Sequence, residues 1–493
     1  MPKYSFERLS PQDNSFLLWE TPYVHMHVSS TIVFDAGPLR TPEGGVDFAA
    51  IRRGTEAFLH RVPRYRQKLF QIPLAQHSVW VDDARFDLDY HLRHTALPKP
   101  GSDAQLKRLS ARVMSQPLDR RRPLWETWIV EGLSGGERFA MITKIHHCMI
   151  DGASGVDLFQ IMMSPSPEAP PLAEPPPFMP RPTPSRRELL RDELRRTLSI
   201  PARALRDFRE FREQAEDFGS EVAMRARAVV SMVGLAGGAD ETPLNGTVGP
   251  HRRFDWLKTP LAEVKAIRKA LDCTVNDVVL TVVTGAVRAY FLHRAVDPSS
   301  LSFRVSAPVS VRSEDQKGKL GNNVSSWIIA LPIDEPDPRQ QLGLIHEETV
   351  RLKETRQALG VQTINKIAEL TPSVLLSLGA RANEGQINTI VTNVPGPQFP
   401  LYFRGARALE IYPQVPLMEG LGIGIALTSY DGTLHWGFNS DPDLVPDADV
   451  FVEKVQAAYE AVAKEAGIER EPALSVVPGS RPRALSQRRS TKA

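Results

Sequence analysis

Only two cysteines, Cys148 and Cys273, occur in 493 residues. They cannot build a disulfide framework, so a reducing compartment is expected. No stretch approaches the ~18 consecutive apolar residues that span a bilayer. The opening MPKYSFERLSPQDNSF lacks the apolar segment of a signal peptide. Charge of one sign is missing too: 60 Lys+Arg against 58 Asp+Glu leave a formal net charge of +2. Bulk electrostatics therefore makes no case for nucleic acid as a partner. There is no internal repeat, no P-loop and no G-x-S-x-G elbow, and Gly420-Leu421-Gly422-Ile423-Gly424 does not fit G-x-G-x-x-G. These absences remove support for nucleotide hydrolysis, dinucleotide-dependent redox chemistry and an α/β-hydrolase serine mechanism.

What is present is an ordinary globular composition, 42% hydrophobic and 24% charged. The length suits two large domains or about three smaller ones. Proline is the one excess, with 41 residues. Ten of them lie between Pro165 and Pro184 (PSPEAPPLAEPPPFMPRPTP), a segment that cannot form helix or central strand and favours an extended polyproline path. Ser185 to Phe218 follows, helix-like, rich in Arg and Glu and interrupted at Pro201. Its Leu190, Leu194 and Leu198 fall at helical spacing.

On either side of this linker, strand and helix patterns alternate. Val24 to Phe34 reads as a strand, and Trp125 to Glu131 with Arg138 to His146 as a hairpin around Leu133-Ser134-Gly135-Gly136. Phe48 to His60 and Val156 to Met163 read as helices. In the second half, Thr274-Val275-Asn276-Asp277 has the form of a capping box ahead of a helix apolar nearly all round. Strands are expected at 303–309, 325–331, 389–393, 422–428 and 434–439, and helices at 261–271, 339–356 and 448–466. The expected fold is α/β: a first domain at 1–164, a proline-rich and basic helical linker at 165–245, a second domain at 246–467 and a disordered basic tail at 468–493.

The strongest local chemical signal is His146-His147-Cys148-Met149-Ile150-Asp151-Gly152, an H-H-x-x-x-D-G pattern at the end of a strand. An imidazole titrates near neutrality and suits general-base work. Asp151 can brace the turn, and Gly152 supplies backbone freedom there. Strand alternation puts His146 and His147 on opposite faces, so one faces a reacting group while the other locks the turn. The spacing alone also fits two histidines that are merely packed. A metal centre is not indicated, since the pattern matches no zinc motif and His25 and His27 read as packed strand residues. A nucleophilic Cys148 is disfavoured, because side chains adjacent on a turn diverge.

The H-H-x-x-x-D-G motif resembles the active-site motif of the CoA-dependent acyltransferase superfamily, which includes chloramphenicol acetyltransferase and non-ribosomal peptide condensation domains. Further blocks narrow the resemblance to the bacterial wax ester synthase/diacylglycerol acyltransferase family. They are Leu9-Ser10-Pro11-Gln12-Asp13 with Phe16, Met26-His27-Val28, Pro123-Leu124-Trp125, and Pro243-Leu244-Asn245-Gly246 with Arg252-Arg253-Phe254. Asn276-Asp277, Pro308-Val309-Ser310-Val311-Arg312, Gly321-Asn322 and Asn393-Val394-Pro395-Gly396-Pro397 follow in family order. Together they cover about residues 6 to 465. Cys148 departs from the family, which often has Ala there.

The resemblance implies two chloramphenicol-acetyltransferase-like domains of mixed sheet plus helices around a shared tunnel. It implies His147 as general base and Asp151 as the residue that orients the loop, with Arg312 its candidate ion-pair partner. Asn276 and Asp277 would support the site, though Asn276 reads equally well as a helix cap. Asn393, Gly396, Pro397 and His27 would line the tunnel, and Trp125 would belong to the core. The implied substrates are a fatty acyl-CoA and either diacylglycerol or a long-chain alcohol, with no cofactor. Peripheral association with the inner membrane or lipid droplets from the cytoplasm is expected, and residues 185–218 are a candidate contact. The alternatives are a condensation-type or polyketide-associated acyltransferase fed by a carrier-protein thioester, and a non-catalytic lipid-droplet binding protein.

Overall fold

The computed structural model describes residues 6–75, 77–149, 161–168, 174–214, 238–310, 324–354 and 387–468. The N-terminal half supplies β1 (Glu7–Arg8), α1 (Pro11–Leu18), β2 (His27–Asp35), α2 (Phe48–Phe58), β3 (Gln67–Gln71), β4 (Ser78–Asp82), β5 (Leu92–Ala96), α3 (Asp103–Ser115), β6 (Trp125–Leu133) and β7 (Arg138–His146). A long helix, α4 (Arg186–Gln214), leads to the second half. There β8 (Asn245–Gly246), β9 (Arg253–Pro260), α5 (Leu261–Ala270), α6 (Val275–His293), β10 (Phe303–Ser310), β11 (Val324–Leu331), α7 (Pro338–Glu354) and β12 (Thr389–Pro395) follow in order. The chain closes with β13 (Tyr402–Phe403), β14 (Ala406–Gln414), β15 (Gly420–Leu421), β16 (Ile423–Tyr430), β17 (Thr433–Ser440) and α8 (Ala448–Glu465).

Two six-stranded mixed sheets organise the molecule, ordered β13-β14-β2-β7-β6-β5 and β11-β10-β12-β16-β17-β9. The expected hairpin forms, with Trp128 opposite Ile142 and Thr127 opposite Thr143. Strand alternation in β7 divides its side chains between two apolar layers. Phe139, Met141 and Ile145 join the core beneath α2, whereas Ala140 and Ile142 face α3. The second core wraps α6, which is apolar enough to cross a membrane by composition but is packed by α5, α7 and α8. Its capping box forms as the sequence predicts: the Thr274 N–H donates to Asp277 and the Asp277 N–H to the Thr274 hydroxyl, at 2.9 and 3.1 Å.

Two features depart from the expected layout. First, the stretch 246–467 does not build one sheet only. Strand β14 leaves it and pairs antiparallel with β2, extending the N-terminal sheet, while it also packs against β16 and β17. The two halves thus share a strand, and β9 contributes Phe254 and Trp256 to the apolar layer on the α3 face. Gly437 permits the closeness, because a Cβ there would stand 1.9 Å from the Pro413 carbonyl oxygen. Second, Pro201 does not interrupt α4, which runs on to Gln214. Thr197, whose carbonyl loses its partner at that proline, is exposed, so water can satisfy it.

Candidate active site

The site is built where β7 ends beside the start of β2. His27 and His146 are register partners across the ladder, and both are buried. Immediately after His146 the chain turns through His147–Met149. The His147 N–H donates to the Met26 carbonyl at 2.7 Å, tying that turn to the strand beside it. Alternation divides the two histidines as expected. His146 turns inward, and its Nε2 lies 3.1 Å from Glu20 Oε1. Its Nδ1 accepts the Cys148 N–H at 3.1 Å.

Glu20 is the centre of this buried group. Oε1 also accepts the Met26 N–H at 2.8 Å and lies 3.9 Å from His27 Nε2, while Oε2 pairs with Arg120. Burial alone would raise its pKa. The hydrogen bond of His146, the largest opposing influence, with that of Arg120 outweighs burial and holds it far below the usual carboxylate range. His27 is driven well below the ordinary imidazole range by burial first, then by Lys144 and His146. His27 therefore stands in the buried polar cluster, edge-on to His146 at 5.7 Å between ring centroids.

His147 has a different environment. It is partly exposed, and its ring stacks on Phe16 with centroids 4.1 Å apart and planes at 26°. Phe16 is presented by α1, which Ser10 caps by accepting the Asp13 N–H at 3.0 Å, with Pro11 in the first turn. Phe16 belongs to a small apolar cluster drawn from both halves: Val24 and Met26 from one, Val248 and Leu417 from the other. His147 thus stands at the seam between the halves, while His146 belongs to the buried support beneath it. Cys148 is fully buried, and burial followed by the Asp13 and Glu20 charges pushes its thiol well above the usual range.

The remaining expected residues divide into two groups. Asn393 on β12 donates from Nδ2 to Asn276 Oδ1 at 3.2 Å, joining β12 to the first turn of α6. Asn276 is not the cap, since Thr274 and Asp277 fill that role. Asp277 is buried, and its carboxylate is occupied by the Thr274 N–H, by His346 Nδ1 at 2.8 Å and by the Thr349 hydroxyl at 2.9 Å. It holds α6 to α7. Gly396 packs against β16, where a Cβ would meet the Ser429 carbonyl oxygen at 2.4 Å, and the Pro397 carbonyl accepts the Asp431 N–H at 3.1 Å. Both residues anchor the β16–β17 turn. Trp125 is core, donating its Nε1–H to the Tyr65 carbonyl at 2.8 Å. Asp151, Gly152 and Arg312, with the expected pair between Asp151 and Arg312, lie outside the described residues. Most of the expected helix 156–163 lies outside them as well.

Sequence reasoning assigned no role to Glu20, Phe16 or Arg120. Phe16 was visible as part of the Ser10-Pro11-Gln12-Asp13 block, but its stacking partner is distant in sequence. Among the described residues no group of three or more His, Cys, Asp or Glu is arranged to hold a metal ion. His25 and His27 stack on each other at 5.4 Å.

Comparison with known proteins places this geometry in a family. Residues 9–279 match the wax ester synthase/diacylglycerol acyltransferase catalytic domain, and residues 320–463 match the C-terminal domain of the same family. The chain belongs to the wax ester synthase/diacylglycerol acyltransferase family. It is 32% identical over 490 residues to a probable diacylglycerol O-acyltransferase of Mycobacterium tuberculosis, covering 95% of this chain and 99% of that protein. It is 30% identical over 488 residues to a putative diacylglycerol O-acyltransferase of the same species, covering 92% and 91%. Its fold is similar to that of the wax ester synthase/diacylglycerol acyltransferase of Marinobacter aquaeolei, with TM-score 0.64, 24% identity and coverage of 93% of this chain and 100% of that one. It is also similar to the first condensation domain of the CDA synthetase, with TM-score 0.59, 15% identity and coverage of 94% and 97%. The chain is therefore an acyltransferase, and the expected two-domain acyltransferase fold is the one observed, with strand β14 shared between its halves.

Proposed function

We propose that this acyltransferase moves a fatty acyl group from acyl-CoA to diacylglycerol or a long-chain alcohol, with His147 as general base and no covalent acyl-enzyme. The observation that carries the proposal is the unequal environment of the two histidines. His146 is turned into a buried carboxylate cluster, whereas His147 stands partly exposed against Phe16, where both halves of the chain meet. In the step proposed, the acceptor hydroxyl gives its proton to the His147 imidazole as its oxygen attacks the thioester carbonyl carbon. The tetrahedral intermediate collapses with cleavage of the C–S bond. The departing thiolate of CoA takes the proton back from the imidazolium, leaving ester and free CoA. The alcohol is itself the nucleophile, so no enzyme nucleophile is needed. Cys148, buried and held in its thiol form, is poorly suited to be one.

Diacylglycerol and long-chain alcohols reside in membranes or lipid droplets, so the enzyme would work on those surfaces from the cytoplasm. The deciding assay uses purified protein, palmitoyl-CoA and either hexadecanol or dioleoylglycerol as acceptor, with products separated by thin-layer chromatography. Ester is expected from the wild type and none from a folded His147→Ala variant. An active His147→Ala variant removes the general-base assignment. Turnover with an acyl-carrier protein but not with acyl-CoA would favour the condensation-type alternative. A wild type that binds lipid without forming ester would favour the non-catalytic one.

A further inference from the structure

Helix α4 presents two unlike faces. The inward stripe carries Leu189, Asp192, Glu193 and Arg196. Leu189 is buried against Ile72, Val79 and Val81 of the β3–β4 hairpin. Asp192 and Glu193 both pair with Arg8, at 2.9 and 2.6 Å, and Glu193 also lies 3.4 Å from Arg196. At the first turn Glu188 is taken up by Ser185, whose N–H and hydroxyl donate to it at 2.8 and 2.7 Å. The acidic residues of these turns are thus engaged by the protein itself.

The outward face is left with residues of two kinds. Leu190, Leu194 and Leu198, spaced four apart, are 37%, 61% and 72% exposed, becoming more open along the helix. Beside them, Arg187, Arg191 and Arg195 form a parallel exposed row, and none has a carboxylate partner among the described residues. Two further apolar side chains stand out from adjoining segments. Leu74, at the turn of the hairpin that seats Leu189, is 94% exposed, and Met179, on the strap leading into α4, is 82% exposed. A solvated linker helix gains nothing from a row of exposed leucines. A helix lying at a bilayer surface does, because its leucines enter the acyl boundary while its arginines meet lipid phosphates.

We infer that the outward face of α4 is the surface by which this enzyme docks on a bilayer containing anionic phospholipid. The inference rests on the acceptor being dissolved in such a layer, and charge complementarity selects the occupant. Among the described residues the leucine row runs beside arginines without carboxylate partners, while Glu188, Asp192 and Glu193 are engaged within the protein.

The test is flotation of the full-length protein with phosphatidylcholine vesicles and with vesicles containing 30% phosphatidylglycerol. Two double variants are compared with the wild type: Leu194→Asp with Leu198→Asp, and Arg191→Glu with Arg195→Glu. All four positions are exposed, and retained folding is checked by melting temperature. Acyl transfer from acyl-CoA to a water-soluble short-chain alcohol without vesicles is measured in parallel. The expected result is salt-sensitive flotation of the wild type on the anionic vesicles and at least a tenfold lower bound fraction for each variant, with transfer to the soluble alcohol unchanged. Equal flotation of wild type and both variants overturns the inference. So does a shift in oligomeric state with flotation unchanged, which would make this face a contact between copies of the chain. Failure of the soluble assay in the wild type would instead count against the proposed reaction and leave the flotation result to stand by itself.

Discussion

Glu20 Oε1 and His146 Nε2 lie 3.1 Å apart, joining the loop after α1 to the end of β7. Because the Cys148 N–H can only donate, Nδ1 of His146 is an acceptor, which leaves Nε2 as the ring's N–H donor, facing Glu20. One carboxylate thereby sets the tautomer of the ring that holds the turn carrying His147. Replacing Glu20 by Ala leaves His146 and the Met26 N–H without their acceptor and Arg120 without its counter-charge. The expected cost is about 3–5 kcal/mol of stability, read by chemical denaturation. Glu20→Gln retains an acceptor and is expected to lose less. Equal stability of Glu20→Ala and wild type would show that the cluster is not a support.

Phe16 sets the plane of the His147 ring by stacking on it at 4.1 Å. Phe16→Ala is expected to lower turnover about tenfold, equivalent to ~1.4 kcal/mol in the barrier. Phe16→Leu, which restores apolar contact without a flat face, is expected to recover stability more than turnover. A melting curve and an initial-rate assay on the two variants separate these effects.

His435 on β17 is buried between Tyr412 and Tyr430, and burial above all lowers its pKa to about 4. A base whose folded pKa lies below its unfolded value of ~6.5 stays neutral in the fold while the unfolded chain takes up a proton. The stability tied to its neutral form is therefore complete above pH ~6.5 and is lost as pH falls toward about 4. Over that window the loss is about 3 kcal/mol. Melting temperatures of wild type and His435→Gln at pH 7 and pH 4.5 check this, with the variant expected to fall less on acidification.

Gly437→Ala places a methyl group 1.9 Å from the Pro413 carbonyl oxygen, where β14 crosses β17. Neither strand can retreat without breaking its own ladder, because β14 is paired to β2 and β17 to both β16 and β9. A destabilisation of about 1–3 kcal/mol is expected, together with loss of activity, since the seam that carries His147 depends on the same approach. A variant as stable as wild type would show that the halves yield easily there.

Elements governed by local pattern were legible in the chain. The β6–β7 hairpin announces itself by alternation around two glycines, and α6 by its capping box and apolar run. Strand parity separated His146 from His147, and the structure places the two in unlike surroundings. Residues whose meaning depends on a distant partner were not legible. Nothing near Glu20 says that a histidine far along the chain will approach its carboxylate. Asn276 read equally well as site support and as a cap until the fold brought Asn393 to its amide. Nothing near Gly396 says that β16 comes close enough there to exclude a side chain.

The order of apolar, polar and turn-forming residues by itself determined that this chain makes strands and helices in two mixed halves, and it put two adjacent histidines at the end of a strand. These properties follow from periodicities of two and 3.6 residues and from short motifs, all local along the backbone. Tertiary structure alone decided that β14 crosses to the other sheet, that Glu20 sits beneath His146 while Phe16 faces His147, and that the outward face of α4 keeps its leucines and arginines but not its acids. Each of these is a pairing between segments far apart in sequence. It is chosen by the shape and charge of the whole packed chain, which no local pattern encodes.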